Sequence, residues 1–191
     1  MRRWDQFRAL FPDIADLTVL DLGGTTEYWR RAPVSARHVT VVNQLEPGTP
    51  SAGLEPVLGD ACGYQPEREF DLVVSNSLLE HVGGHAMRVR LAETIRKAAP
   101  RHWVQTPYRY FPVEPHWLFP GMQALPVRLR VAISMRWPLA HSRPASRVDA
   151  VQEVLWTDLV GRTEMLALFP DSDVGFERMA GLPKSLLATR A

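Results

Sequence analysis

The sequence has a single cysteine, Cys62, among its 191 residues. An intramolecular disulfide and a zinc site built on paired cysteines are therefore excluded, and we expect a reducing compartment. No apolar run reaches the roughly 18 residues that a membrane-spanning helix requires. The N-terminus carries basic residues without the apolar segment of a secretory signal. We therefore predict a cytoplasmic protein with no integral membrane segment.

An excess of charge of either sign is also absent. Twenty-two basic residues against 21 acidic residues give a net charge of +1. No broad positive field draws nucleic acid to such a chain, so we predict no nucleic-acid partner. A hydrophobic content of 46% with 23% charged residues is typical of a globular domain. The length predicts a single domain over residues 1–191, and within it we place an insertion at 107–150.

The stretch from Thr18 to Trp29 is the centre of the functional prediction. Residues 19–22 are a short apolar run, typical of a buried strand, and Gly23-Gly24 follows, where the backbone can turn sharply beside a ligand. Asp21 stands just before this turn. The motifs of a P-loop and of nicotinamide binding are both missing. The stretch predicts a nucleotide-like cofactor at the carboxyl end of the first strand; an ordinary strand-to-helix turn is the alternative.

Strands and helices alternate along the first half of the chain. A short helix at 4–12 precedes the first strand, and five prolines between 107 and 126 predict a stiff loop without strands. The first strand is predicted at 18–22 and the further strands at 39–42, 57–60, 70–75, 102–106, 174–179 and 184–189. The further helices are predicted at 27–32, 78–99 and 157–169. This alternation indicates an α/β fold with a parallel, doubly wound sheet.

Four segments in this order resemble the class I S-adenosylmethionine-dependent methyltransferases of the type 11 group. They are Val-Leu-Asp-Leu-Gly-Gly at 19–24, Leu-Gly-Asp-Ala at 58–61, Phe-Asp-Leu-Val-Val-Ser-Asn-Ser-Leu-Leu-Glu-His-Val at 70–82, and the final hairpin at 177–187. The resemblance implies a Rossmann-like, seven-stranded sheet of order 3-2-1-4-5-7-6 with strand 7 antiparallel. It also implies S-adenosyl-L-methionine as the cofactor.

The resemblance assigns cofactor-binding residues as well. These are Asp21, Gly23 and Gly24 at the amino acid end of the cofactor, Asn43 at the ribose, Asp60 and Ala61 at the adenine, and Ser75 and Asn76 on the methionine side. A carboxylate such as Asp21 suits an ammonium group. Asn43 departs from the family, in which the second strand usually ends in Asp or Glu, and Glu46 is a substitute acceptor nearby.

Two clusters offer acceptor chemistry, Glu80-His81 after strand four and Glu114-Pro115-His116 after strand five. In this fold both segments overlie the methyl group. Methylation of a hydroxyl requires removal of its proton by a group within hydrogen-bond reach. We predict His116 as the base, Glu114 as its orienting partner and His81 as a further catalytic residue. A purely structural role for either histidine remains open.

A metal site is not assigned from the sequence. Some similar methyltransferases hold a divalent ion with a Glu-x-x-Glu-His segment and a second histidine, but Ser77 occupies the first position here. Glu80, His81 and His116 remain an open ligand set.

Aromatic and apolar side chains between 108 and 122 predict a lid around the acceptor. They are Tyr108, Tyr110, Phe111, Trp117, Leu118, Phe119 and Met122. Such a surface favours O-methylation of a small molecule that is a sugar, a lipid or polyketide-like. The alternatives are a non-catalytic binding protein with this fold and a nicotinamide-dependent oxidoreductase. The sequence leaves a homodimer open.

Overall fold

The computed structural model describes residues 3–140 and 143–191, which form a seven-stranded sheet, helices on its two faces and a small inserted unit. The strands are β1 (Thr18–Leu22), β2 (His38–Asn43), β3 (Leu54–Leu58), β4 (Leu72–Asn76), β5 (Arg101–Pro107), β6 (Val113–Glu114), β7 (Phe119–Pro120), β8 (Asp173–Met179) and β9 (Leu182–Arg190). The α-helices are α1 (Arg3–Leu10), α2 (Thr26–Arg30), α3 (His85–Ala98), α4 (Val127–Ser134), α5 (Arg147–Trp156) and α6 (Arg162–Leu168). Single turns of 3-10 helix occupy Ile14–Asp16, Leu79–His81 and Met122–Ala124.

The strand order of the large sheet is β3-β2-β1-β4-β5-β9-β8. The pairs among β1 to β5 are parallel, whereas β9 runs antiparallel to both β5 and β8. The predicted order 3-2-1-4-5-7-6 with an antiparallel strand 7 is therefore confirmed, with β8 and β9 as the sixth and seventh strands. Successive strands are added on one side of β1 as far as β3, and on its other side from β4 onward. Ligand-binding crevices form at such a switch point in the strand order.

Both faces of the sheet are covered, which explains the continuous apolar runs of its central strands. Leu20 and Leu22 of β1 point to the face covered by α3 and α6, in one buried cluster with Leu91. Val19 points to the opposite face, in a second cluster that includes Trp29 of α2. No helix among the described residues is long and apolar enough to cross a membrane.

The segment from 107 to 156 differs from the prediction. The expected strandless loop contains a two-stranded antiparallel hairpin of β6 and β7, in which Glu114 pairs with Phe119. The ladder tolerates Pro120 because the strand is only two residues long and lies at an edge. Helix α5 was not predicted at all; Ser146 caps it by accepting a hydrogen bond from the Asp149 backbone N–H. Trp117 is buried with residues of α4 and α5 in a separate small core.

Several predicted boundaries also differ. The predicted continuous helix over 78–99 is broken at Gly83 and Gly84, whose φ angles of +88° and +94° lie outside the helical region. β3 begins at Leu54, three residues before the predicted start.

Candidate active site

A cavity of about 450 Å³ lies at the carboxyl ends of β1 and β2. This volume is within the ~300–1,000 Å³ typical of small-molecule sites. It is lined by Gly23, Val42, Asn43, Gln44, Leu45, Asp60, Ala61, Cys62, Leu78, His81, Val82, Met87 and Trp156. The parallel register brings the ends of these strands to one edge, so residues distant in sequence meet there. Four of the predicted cofactor-binding residues, Gly23, Asn43, Asp60 and Ala61, are among them.

The turn after β1 requires both of its glycines. Gly23 has φ +87°, and a Cβ there would lie 2.8 Å from Leu78 Cδ1. A Cβ on Gly24 would lie only 1.9 Å from Asp21 Oδ2. The glycines therefore let the backbone pass between the cavity and a buried carboxylate.

Asn43 fixes this turn through its amide group. Its Nδ2 donates to the carbonyl oxygens of Gly23 at 3.2 Å and Gly24 at 2.9 Å. Its Oδ1 accepts from the Leu45 backbone N–H at 2.9 Å. A carboxylate cannot donate to carbonyl oxygens, so the amide explains why this chain departs from Asp or Glu here. The side chain of Asn43 holds the cavity wall.

Asp21 lies beneath the turn and is only 1% exposed. Its Oδ2 accepts a hydrogen bond of 2.7 Å from Trp29 Nε1, and its Oδ1 is buried without a hydrogen-bond partner in the part of the chain that the structure describes. Burial raises the pKa of Asp21 to about 7, although the Trp29 hydrogen bond opposes the shift. Asp21 does not line the cavity, so the structure gives this carboxyl a place under the glycine turn and shows no opening toward a ligand.

Ser75 and Asn76 are also engaged within the protein. Ser75 Oγ is buried and donates to the Leu22 carbonyl oxygen at 3.2 Å. Asn76 Oδ1 accepts from Arg3 Nη1 at 3.0 Å, which ties α1 to the end of β4. Neither residue lines the cavity.

Asp60 and Ala61 line the cavity together with Gly23 of the glycine turn. Asp60 Oδ1 accepts a hydrogen bond of 3.0 Å from the Cys62 backbone N–H, which rigidifies the loop after β3. Ala61 is 6% exposed and keeps the wall flat.

The two histidines predicted as catalytic residues meet at the rim of the cavity. His116 Nε2 lies 3.0 Å from His81 Nε2, although 35 residues separate them in sequence. His116 Nδ1 lies 2.7 Å from Glu114 Oε1. Glu114 Oε2 accepts from the backbone N–H groups of His116 and Trp117 at 2.8 and 2.9 Å. His81 lines the cavity, whereas His116 and Glu114 stand behind it.

The electrostatics of the cluster distinguish its members. Burial and the neighbouring His116 lower the pKa of His81 to about 4. Burial lowers the pKa of His116 too, but the hydrogen bond and charge of Glu114 outweigh it and leave this pKa above its ordinary value. Burial raises the pKa of Glu80 to about 7. Glu80 Oε2 accepts from Thr106 Oγ1 at 2.9 Å, while its Oε1 is buried and has no hydrogen-bond partner within residues 3–140 and 143–191.

The predicted aromatic lid does not line the cavity. Trp117 and Met122 are 3% and 0% exposed, because they fill the core of the inserted unit. Instead of the predicted lid residues, Trp156 at the end of α5 lines the cavity. Trp156 also lines an adjacent groove of about 840 Å³. The sequence signal that could have revealed this helix is the Ser146-x-x-Asp149 cap, which precedes a run of apolar residues. One of these residues, Leu155, also lines the groove.

Comparison with known proteins gives the fold. No family model and no curated protein matches the sequence. Among solved structures, the N-methyltransferase NodS of Bradyrhizobium japonicum WM9 superimposes with a TM-score of 0.56 at 12% identity, over 98% of this chain and 92% of that one. The magnesium protoporphyrin IX methyltransferase of Synechocystis PCC 6803, solved with bound SAH, gives 0.59 at 13% identity, over 98% and 81%.

The chain has the class I methyltransferase fold. A Rhodobacter sphaeroides protein assigned to the Zn-dependent alcohol dehydrogenases also superimposes, with a TM-score of 0.59 at 13% identity over 96% of this chain and 89% of that one. At such identities the similarity concerns the fold alone, and the activity has to be argued from the site.

Proposed function

We propose that this protein is an S-adenosylmethionine-dependent methyltransferase that acts on a hydroxyl group of a small molecule. The observation that carries the proposal is the cavity at the switch point, whose lining includes Gly23 of the glycine turn, Asp60, Ala61 and His81. The whole chain serves as one domain, and residues 107–150 act as an insertion beside the acceptor.

The cavity residues fit the cofactor. The glycine turn presents backbone where a Cβ would not fit, and Asp60 with the flat surface of Ala61 suits an adenine. The backbone around Leu45 comes directly after β2, at the expected position of the ribose, and Asn43 holds it by a hydrogen bond. Bound there, the cofactor supplies an electrophilic methyl group on a sulfonium.

The groove beside the cavity suits the acceptor. Trp156 lines both spaces, and Leu155 and Trp156 are 60% and 57% exposed, which is unusual for adjacent large apolar residues. Aromatic faces bind sugar rings and apolar chains. An acceptor lying on Trp156 can therefore place a hydroxyl beside His81.

His81, His116 and Glu114 form the proton-accepting group in this proposal. Glu114 fixes the orientation of His116, and His116 contacts His81 at the rim of the cavity. A hydroxyl proton taken by the ring of His81 passes to His116, where the Glu114 carboxylate stabilises the resulting charge. In this proposal His81 lies next to the acceptor and His116 lies one step behind it.

Methyl transfer from labelled S-adenosylmethionine to a panel of phenols, glycosides and hydroxylated lipids tests the proposal. We expect product with at least one hydroxylated class. His116→Ala should lower turnover by about 10²–10⁴-fold, the usual contribution of a general base, with SAH affinity nearly unchanged. His38→Ala, at the opposite end of β2, is the matched control. Equal loss in both variants, or none in His116→Ala, contradicts the assignment of the base.

A further inference from the structure

We infer that Glu80, His81 and His116 form a binding site for one divalent transition-metal ion such as Zn²⁺ or Co²⁺. One ligand atom from each residue lies within 4.8 Å of the other two, and no other group of at least three His, Cys, Asp or Glu residues with such geometry occurs among residues 3–140 and 143–191. Two imidazoles and one carboxylate are a common ligand set for zinc, which leaves a fourth position open.

The two histidines lie close to the spacing of two ligands of one ion. With metal–nitrogen bonds near 2.1 Å, two ligands of a tetrahedral ion lie about 3.4 Å apart, and the two Nε2 atoms are separated by 3.0 Å. The rings meet nearly at right angles, with an interplanar angle of 85°. A cation between the two nitrogens requires only a small separation of the rings.

Glu114 gives His116 the tautomer that a ligand needs. Its carboxylate accepts from Nδ1–H of His116 at 2.7 Å and is itself fixed by two backbone N–H groups. With the proton on Nδ1, the lone pair of Nε2 faces the cluster. Carboxylates behind metal-bound histidines play this part in many metal sites, where they orient the ring and increase its basicity.

Glu80 provides the independent observation. The residue is 1% exposed, and its Oε1 is buried without a hydrogen-bond partner among the described residues. Unsatisfied buried carboxylate oxygens are costly, and a metal ion is one way to satisfy them. Thr106 Oγ1 donates to the other oxygen of this carboxylate.

The site deepens the proposed function without depending on it. His81 lines the cavity assigned to the cofactor, together with Trp156, which also lines the groove assigned to the acceptor. A hydroxyl of the acceptor bound to the ion would lose its proton more readily. In the metal-bound state both Nε2 atoms would be ligands, so the ion would replace the histidine pair as the group that promotes loss of that proton.

Titration of the full-length, tag-free and chelator-treated protein with Co²⁺, followed by visible d–d absorption and then by displacement with Zn²⁺, tests the inference. We expect one Co²⁺ per chain and the absorption of a low-coordinate, nitrogen-and-oxygen site. Glu80→Gln, which keeps the volume and the Thr106 contact, should abolish this absorption, as should His116→Ala. Glu114→Gln should weaken binding by about 10–100-fold, since the amide favours the wrong tautomer.

His38→Ala is the matched control, because His38 contacts Glu55 at the far end of β2 and belongs to no three-ligand group. It should bind Co²⁺ as the wild type does. Absence of the absorption in the wild type, or unchanged binding in Glu80→Gln, overturns the inference. SAH titrations of the same preparations separate the two proposals: metal binding without SAH binding contradicts only the proposed function, and SAH binding without metal contradicts only the metal site.

Discussion

The buried carboxyl of Asp21 makes the stability of this protein depend on pH in a direction opposite to that of most acids. Its pKa in the folded state is about 7, against an unfolded value near 3.9. Between these values the folded state holds a proton that the unfolded state has released. Folded stability from this group is therefore fully present below the unfolded pKa and falls as pH rises toward the folded pKa.

The size of the effect follows from the two pKa values. Each pH unit within the interval removes up to about 1.4 kcal/mol from the free energy of unfolding. Between pH 5 and pH 8 the loss amounts to about 2.5 kcal/mol, because the slope declines once pH reaches the folded pKa. Asp21→Asn keeps an acceptor for Trp29 Nε1 but carries no titrating proton.

Urea unfolding of the wild type and of Asp21→Asn at pH 5, 6, 7 and 8 isolates this group, since all other titrations cancel in the difference. The variant should gain about 2.5 kcal/mol relative to the wild type across this range. Asp71→Asn is the control: hydrogen bonds from the Thr18 side chain and backbone lower the pKa of Asp71, so both states are ionised above pH 5. A flat difference for Asp21→Asn refutes the reasoning.

Three further predictions concern the glycine turn and the buried Arg88. Asn43→Asp should lower the free energy of unfolding by about 1–3 kcal/mol in urea titrations, because two carbonyl oxygens lose their donor; a stabilised variant contradicts this. Gly24→Ala should weaken SAH binding at least tenfold by isothermal titration, since its Cβ collides with the buried Asp21; unchanged affinity contradicts it. Arg88→Met should cost about 3 kcal/mol or more by thermal or urea unfolding, because Arg88 is 2% exposed and pairs with Glu164; an unchanged midpoint contradicts it.

The sheet could be predicted because its strands are apolar on both faces and its turns are marked by glycine. β1 was predicted with its observed bounds, and the order of all seven strands followed from the family resemblance. The inserted unit could not be predicted for two reasons. Its prolines argue against strands, although a short hairpin forms there, and its helices are stabilised by a small core of their own that the sequence pattern does not reveal. Trp156 was missed for that reason.

The sequence indicated which residues come together at the site better than it indicated their hydrogen-bond partners. Asp60 and Ala61 line the cavity, and His81 and His116 meet. What the sequence could not give was which side chains are already satisfied by the protein. Asn43 donates to the glycine turn and Asp21 is sealed below it, because three-dimensional packing determines hydrogen-bond partners.

Isothermal titration of the purified protein with SAH, with NADH as the control ligand, tests the central claim most directly. The proposed function predicts micromolar binding of SAH at one site per chain and no binding of NADH. The variant Gly24→Ala should lose most of the SAH signal, because the added Cβ would collide with Asp21 and displace the glycine turn beside the cavity. Binding of NADH alone contradicts the proposal in favour of an oxidoreductase, and binding of neither ligand contradicts it in favour of a non-catalytic protein with this fold.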